Sequence, residues 1–470
     1  MARIWRAAPA YIYESPRTPM TSIRRRLLAN AGANTFGKVL ATVIQIVSVP
    51  ILLHHWGTGL YGEWILLSSV PTYFAMSDIG FGNVAGNDMT MLVAAGKTDE
   101  ALDVFQSVSL FITSVSLAVC GLLVLGVWFL PIERWLQIHT LSLHDARLVL
   151  LFLGVSALLS LQEGLFWGCF RCVGKYAKGT MAKSVVLASS FVGLVTAASF
   201  GASPLQVAFI IALINAVGTL SLWWLLRREI SWLRYGLSHA RWDTIRRLFW
   251  PAVSYMSFPI SNILNIQGML VLVGHIFGPV GVVTFSTART ISRSVLQALA
   301  LINASVWPEI SAAFGAGSLA LVRKLHRASC QLSIVVCVGT TIVVAIFGNR
   351  IWDLWTLGKI ETDPVLLNIL LLQMLLGALW YTSSIVPIAI NKHESVARTI
   401  LASTCLAIVL SYVLMKVPSL GLRGAAIGLV IGDMVTVLVV LRTSLRLIDD
   451  TFEQFVQSMF EVPNLLPRKR

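Results

Sequence analysis

"LLHHWGTGLYGEW" (residues 52–64) breaks two apolar runs with paired histidines, two tryptophans and three glycines. A comparable break, "LVGHIFGPVGVV", occupies residues 272–283. Aligning Gly57 with Gly278 sets a shift of 221 residues, and His54 then falls on His275. The same shift carries "AAGKTDEAL" (residues 94–102) onto "GAGSLALVR" (residues 315–323), with Gly96 over Gly317. A shift of 219 carries "IERWL" (residues 132–136) onto "IWDLW" (residues 351–355). These pairs predict two related halves, with the glycine-bearing breaks as tight outer turns between the first and second helix of each half.

Working outward, the chain of 470 residues is 56% hydrophobic and 12% charged, with a mean hydropathy of +0.77. A soluble domain carries about 25% charged residues, so most of this surface must face lipid. The net charge of +14 reads as a cytoplasmic excess of Lys and Arg rather than a nucleic-acid footprint. Cys169 and Cys172 form a lone C-x-x-C without a second pair or a histidine set, and read as ordinary membrane cysteines. Residues 1–30 are polar and basic, with no apolar core before a cleavage site. Met20 reads as an alternative translation start.

Twelve apolar stretches long enough to span a bilayer lie near residues 32–53, 60–84, 104–130, 146–169, 179–200, 204–226, 249–274, 279–303, 328–348, 365–390, 396–416 and 421–443. An even count puts both ends on one side. Of the 36 Lys and Arg residues, 26 fall on that side and 6 on the other, which makes both termini cytoplasmic. The expected layout is a cytoplasmic tail (1–30), a six-helix lobe (31–227), a basic linker (228–248), a second six-helix lobe (249–444) and a cytoplasmic tail (445–470). Two same-orientation repeats imply pseudo-symmetric lobes and a V-shaped, alternating-access, all-α integral membrane protein. The linker "REISWLRYGLSHARWDTIRR", with Trp232, Tyr235 and Trp242 among its arginines, is expected to be a helix on the cytoplasmic leaflet, its aromatics turned inward.

Charges inside spans cost about 2.5–3.5 kcal/mol at a helix centre and mark sites. Arg289 and Arg293, four apart on the eighth span, share one face with Ser286 and Gln297. Two guanidiniums suit a phosphate or diphosphate, whereas the structural alternative pairs them within their own lobe, for instance with Asp433 on the twelfth span. Asn34, Lys38, Thr42 and Gln45 form a polar face on the first span. Lys38 lies at the depth of Asp78, with which it could pair, or else it snorkels. Ser254, Ser257, Ser261 and Asn265 on the seventh span, and Gln373, Trp380 and Ser384 on the tenth, read equally as cavity lining or as interhelical glue. Glu163 on the fourth span joins Asp78 and Asp433 as a candidate for ion coupling or charge compensation. His54 and His275 read as interfacial residues. No catalytic constellation, phosphate-binding glycine loop or metal-spaced set appears, so the chain reads as no enzyme. Its energy would come from an ion gradient or from the substrate's own concentration.

"YFAMSDIGFGNVAGNDMTMLVAAGKTDEA" (residues 73–101) resembles the second-helix region of the polysaccharide transporter family. These are flippases for lipid-linked oligosaccharides, in the superfamily that includes the multidrug and toxin extrusion transporters. Asp78–Gly82, Ala95–Ala101 and "WGTGLYGEW" carry the resemblance. It implies movement of an undecaprenyl-diphosphate-linked oligosaccharide repeat unit from the cytoplasmic to the periplasmic leaflet of a bacterial inner membrane. The product would serve exopolysaccharide, capsule or O-antigen synthesis. It further implies proton or sodium coupling without another cofactor, a cationic cavity that Arg289, Arg293 and Lys38 would supply, and partners among membrane lipids and a polysaccharide polymerase with its co-polymerase. The main alternative is an ion-coupled exporter of drugs or organic cations, whose cavity would be ruled by carboxylates and aromatics. A peptidoglycan-precursor flippase, usually of fourteen helices, and a non-transporting assembly scaffold are the remaining alternatives.

Overall fold

The computed structural model describes residues 20–74, 80–129, 138, 140–293, 296–356 and 363–461. Within them lie sixteen helices, one π-helical turn and no strand. In lipid every backbone N–H and C=O must be satisfied within the protein, and a helix does this locally. The chain divides into two compact units, residues 1–252 and 253–470.

The first unit holds α1 (Met20–Phe74), α2 (Phe81–Ala94), α3 (Thr98–Phe129), α4 (Leu143–Cys172), α5 (Tyr176–Ser199) and α6 (Pro204–Glu229). Helix α7 (Trp242–Tyr255) leads into the second unit. There α8 (Ser257–Ile263), the π turn Leu264–Gly268 and α9 (Met269–Arg293) are followed by α10 (Leu296–Gly315) and α11 (Leu319–Thr356). Then come α12 (Pro364–Ser383), α13 (Ile385–Ala389), α14 (Glu394–Met415), α15 (Arg423–Leu447) and the short α16 (Phe452–Met459). Helix starts follow from the sequence. Ser142 Oγ accepts from Asp145 N at the head of α4, and Ser203 and Gln206 form a reciprocal cap ahead of Pro204.

Among the described residues, nine helical segments are long and apolar enough to cross a membrane. The other three expected spans fall in α1, α2, α9 and α10. Helix α1 bends at Gly57 (φ 71°, ψ 177°) and α9 at Gly278 (φ 67°, ψ −167°). This region is essentially restricted to glycine, and both hinges hold the same conformation 221 positions apart. Gly96 (φ 78°) and Gly317 (φ 74°) repeat the correspondence in the turns after α2 and α10. The two-half reading of the opening motif is thus written in the backbone. Residues 132–136, which supply a further pairing in the sequence, lie outside the described residues.

Two expected boundaries change. Hydropathy ends the second and eighth spans at 84 and 303, but α2 runs to Ala94 and α10 to Gly315. Their ends bury Asn87, Asp88 and Thr90, and Ser305, Glu309 and Ser311, so a hydropathy profile stops short of them. The 221 shift also places Glu309 on Asp88.

The opening motif is an anchor. Glu63, 6% exposed, accepts backbone hydrogen bonds from Thr140 N and Leu141 N, the latter at 2.8 Å. Trp56 Nε1 donates to Ala202 O at 3.0 Å and its ring meets Trp64 edge-on. The motif therefore ties α1 to the segments that precede α4 and α6.

The linker is not the expected helix. Residues 230–241 form an irregular loop, because side chains of α3 occupy its backbone groups. Gln106 Nε2 donates to Arg234 O, Gln106 Oε1 accepts from His239 N, and Ser107 Oγ accepts from Arg241 N. Asp103 holds both His239 and Arg241. Tyr235 packs against Phe105, Phe166 and Trp223, and Leu233 is fully buried. Trp242, expected to face inward with the other linker aromatics, is 75% exposed.

Candidate functional site

A cavity of about 530 Å3 lies within the second unit, walled by the end of α7, α8, the π turn, α9, α10, α12, α13, α14 and α15. Its charged lining consists of Arg293 and Asp433, and its aromatic lining includes Tyr255, Phe258, Trp307, Trp380 and Tyr381.

The π turn organises the cationic wall. A π turn leaves backbone carbonyls free of their usual helical partners, and such turns recur at functional sites. Here Asn265 presents two oxygens. Arg289 Nη1 donates to Asn265 O at 2.7 Å, and Arg289 Nη2 donates to Asn265 Oδ1. Arg293 Nη1 reaches the same Oδ1 at 3.4 Å. Arg289 is 4% exposed and stands outside the cavity lining, so its part is to support the wall from behind. Arg293 is the guanidinium that meets the cavity.

Asp433, 8% exposed, forms the acidic wall. Its Oδ2 accepts from Gln373 Nε2 at 2.7 Å and its Oδ1 from Trp380 Nε1 at 3.1 Å. This fixes the indole as a flat platform. Among the described residues no ion pair within 4.0 Å joins Asp433 to either arginine. A direct Arg–Asp433 bridge, one form of the structural alternative, is therefore absent among the described residues, and the pairing that Arg289 does make within its unit is with Asn265. Three further lining groups are buried without a protein partner: Gln373 Oε1, Asn303 Oδ1 and Ser261 Oγ. Buried polar atoms left this way mark places for a ligand or water.

The structure thus gathers Arg293, Asp433, Ser261, Asn265, Gln373 and Trp380 at one cavity, with Arg289 behind them. The side chains of Gln297 and Gln45 lie outside the described residues, as does Asp78 and with it the expected Lys38–Asp78 pair. The remaining candidates belong to the first unit, where Lys38 is half-buried on α1. Asn34 Oδ1 accepts from Tyr176 OH at 3.0 Å, which joins α1 to α5. Glu163 accepts from Thr219 Oγ1 at 2.8 Å, and Asn215 beside it connects to Ser156 and Ser190. That chain of polar groups knits α4, α5 and α6 together. A smaller cavity of about 320 Å3 in this unit is lined mainly by apolar side chains with Tyr61 and Ser190.

Sequence reasoning missed Asn303, Trp307, Tyr255 and the hydroxyl pair Ser403–Thr436 (2.7 Å). The amide of Asn303 inside an apolar run was the available signal. Among the described residues no group of three or more His, Cys, Asp or Glu side chains could hold a metal ion.

Neither a protein-family model nor a curated protein matches the sequence. Solved structures do match. A MATE point mutant aligns at 16% identity over 93% of this chain and 99% of its own, with a TM-score of 0.74. An outward-facing multidrug resistance MATE family transporter of the MOP superfamily aligns at 15% identity over 93% and 99%, with a TM-score of 0.73. The Vibrio cholerae MATE transporter VcmN in its bent form aligns at 17% identity over 92% and 98%, with a TM-score of 0.72. At these identities the likeness concerns the fold: the chain has the two-lobe, all-helical, multi-pass membrane architecture of the MATE transporters.

Proposed function

We propose that the chain is an alternating-access secondary transporter of an amphiphilic organic solute, with the cavity of the second unit as its binding site. The observation that carries this is a cavity within apolar helices, bearing one guanidinium, one carboxylate and aromatic walls. Such a mixture is expensive in a membrane protein unless it serves a ligand. An ion gradient, of protons or sodium, would drive the cycle.

Export of an organic cation is the reading nearest to the fold's relatives. Asp433 beside Trp380 supports it, since a carboxylate and a ring face together hold a cation. Flipping of a lipid-linked oligosaccharide, with its diphosphate on Arg293, is supported by that guanidinium and by the unpaired amide and hydroxyl oxygens that sugar hydroxyls would satisfy. The enclosing membrane would then be a bacterial inner membrane with both termini cytoplasmic.

Purified protein in proteoliposomes separates the readings. One probe is ethidium; the other is a fluorescent sugar on a short polyprenyl diphosphate. Ethidium movement that Asp433→Asn abolishes and Arg293→Gln spares establishes the cation reading. The reverse pattern establishes the flippase. Folded protein that moves neither probe refutes both.

A further inference from the structure

The short helix α16 follows α15 by four residues, and three sets of contacts hold it in place. Arg327 on α11 forms a bidentate pair with Asp450, whose side chain is fully buried. Gln331 donates to the carbonyls of Ser458 and Glu461. Phe455 packs on Cys330 and stacks on the buried ring of His326. Thr451 Oγ1 caps the helix by accepting from Gln454 N. So stapled, the helix has a fixed rotation about its axis.

That rotation divides its circumference three ways. Phe455, Ser458 and Met459 face the protein. Phe452, Val456 and Phe460, spaced four apart, lie about a third of a turn away, given roughly 100° per residue, and are 63%, 37% and 87% exposed. Glu453, Gln454 and Gln457 take the remaining arc. Two phenylalanines and a valine in one exposed row are unusual beside a fully polar arc, and this is the profile of a helix lying in a lipid interface.

We propose that α16 rests on the cytoplasmic leaflet, with Phe452, Val456 and Phe460 inserted below the headgroups and Glu453 and Gln457 toward water. The occupant of the row is a lipid surface containing anionic lipid. Charge complementarity argues for it: Arg442 and Arg446 close the preceding span, Arg323 and Lys324 lie at the start of α11, and Arg468, Lys469 and Arg470 follow α16 in the sequence. Basic residues beside an anionic leaflet contribute about 1 kcal/mol each. A rigidly stapled surface helix would fix the height of α11 and α15 in the membrane while other helices move.

Site-directed spin labelling of full-length protein in phosphatidylglycerol-containing nanodiscs tests this. Nitroxides are placed singly by Val456→Cys, Phe460→Cys and Gln457→Cys, in a background with the six native cysteines replaced. All three labelled positions are exposed, and thermal unfolding checks that the background, which also replaces the buried Cys330 beneath Phe455, is folded. At 456 and 460, collisions with oxygen should exceed those with a water-soluble nickel chelate; at 457 the order should reverse. Chelate access at all three positions overturns the proposal in favour of a solvated helix. Exclusion of both reagents at 456 and 460 also overturns it and assigns the row to a protein partner or to the chain's own tail.

Discussion

Replacing Asn265 by alanine removes the side-chain oxygen that accepts from both guanidiniums and leaves the backbone carbonyl, which still holds Arg289 Nη1. The lost bond to Arg289 involves a charged donor that is 4% exposed, a type worth about 1.5–3 kcal/mol. The bond from Arg293 is at the long limit and adds little. The expected cost is therefore about 2 kcal/mol. For a cooperative unit of roughly 200 residues this is about 4–8 °C in Tm, measured by thermal unfolding in detergent micelles. Asn265→Asp keeps the acceptor and makes it charge-assisted, so it should recover at least half of the loss. The two variants should also split in function. Alanine frees Arg293 without changing its charge, whereas aspartate neutralises the wall and weakens any anionic ligand. An alanine variant that melts with the wild type would refute the clamp, because Arg289 would then have other acceptors.

Further outcomes follow from the same contacts. Asp433→Asn should melt near the wild type, because Gln373 can turn its amide and offer its unpaired Oε1 to the new N–H, whereas Asp433→Ala strands the Trp380 N–H and should melt lower, by about 1–3 kcal/mol. Gly57→Ala and Gly278→Ala should each cost about 1–3 kcal/mol of backbone strain, with no steric cost since no other group lies within 4 Å of the new Cβ, and the double variant should be additive because the hinges lie in separate units. Glu63→Gln should set an N–H against a backbone N–H, and hydrogen exchange should accelerate selectively at Thr140 and Leu141.

Much of this was legible in the sequence. The shift of Gly57 onto Gly278 located two hinges that share one strained conformation, because only glycine tolerates it. Arg289 and Arg293 pointed to the stretch of α9 that stands at the cavity of the second unit, because a charge in an apolar run is costly at a helix centre. Their division of labour was not legible. It depends on a π turn at Asn265, which leaves no mark in hydropathy or periodicity. The ends of α2 and α10 were hidden for the opposite reason: Asp88 and Glu309 are polar yet buried. The linker failed as a helix because Gln106, Ser107 and Asp103, more than a hundred residues away, take its backbone and side-chain partners. Trp232, Tyr235 and Trp242 suggested amphipathicity, but Tyr235 was claimed by a cluster of rings that only the tertiary fold assembles.

If the proposed function holds, a transported molecule passes through the cavity of the second unit. Filling that space asks the question with a single side chain: Ala304→Trp, on the cavity wall, is assayed in proteoliposomes with whichever probe the wild type moves, alongside its thermal unfolding. The expected result is a folded protein whose transport is lost, and near-normal transport for Ala304→Ser. Transport at the wild-type rate with tryptophan in place would contradict the proposal and send the substrate's path elsewhere.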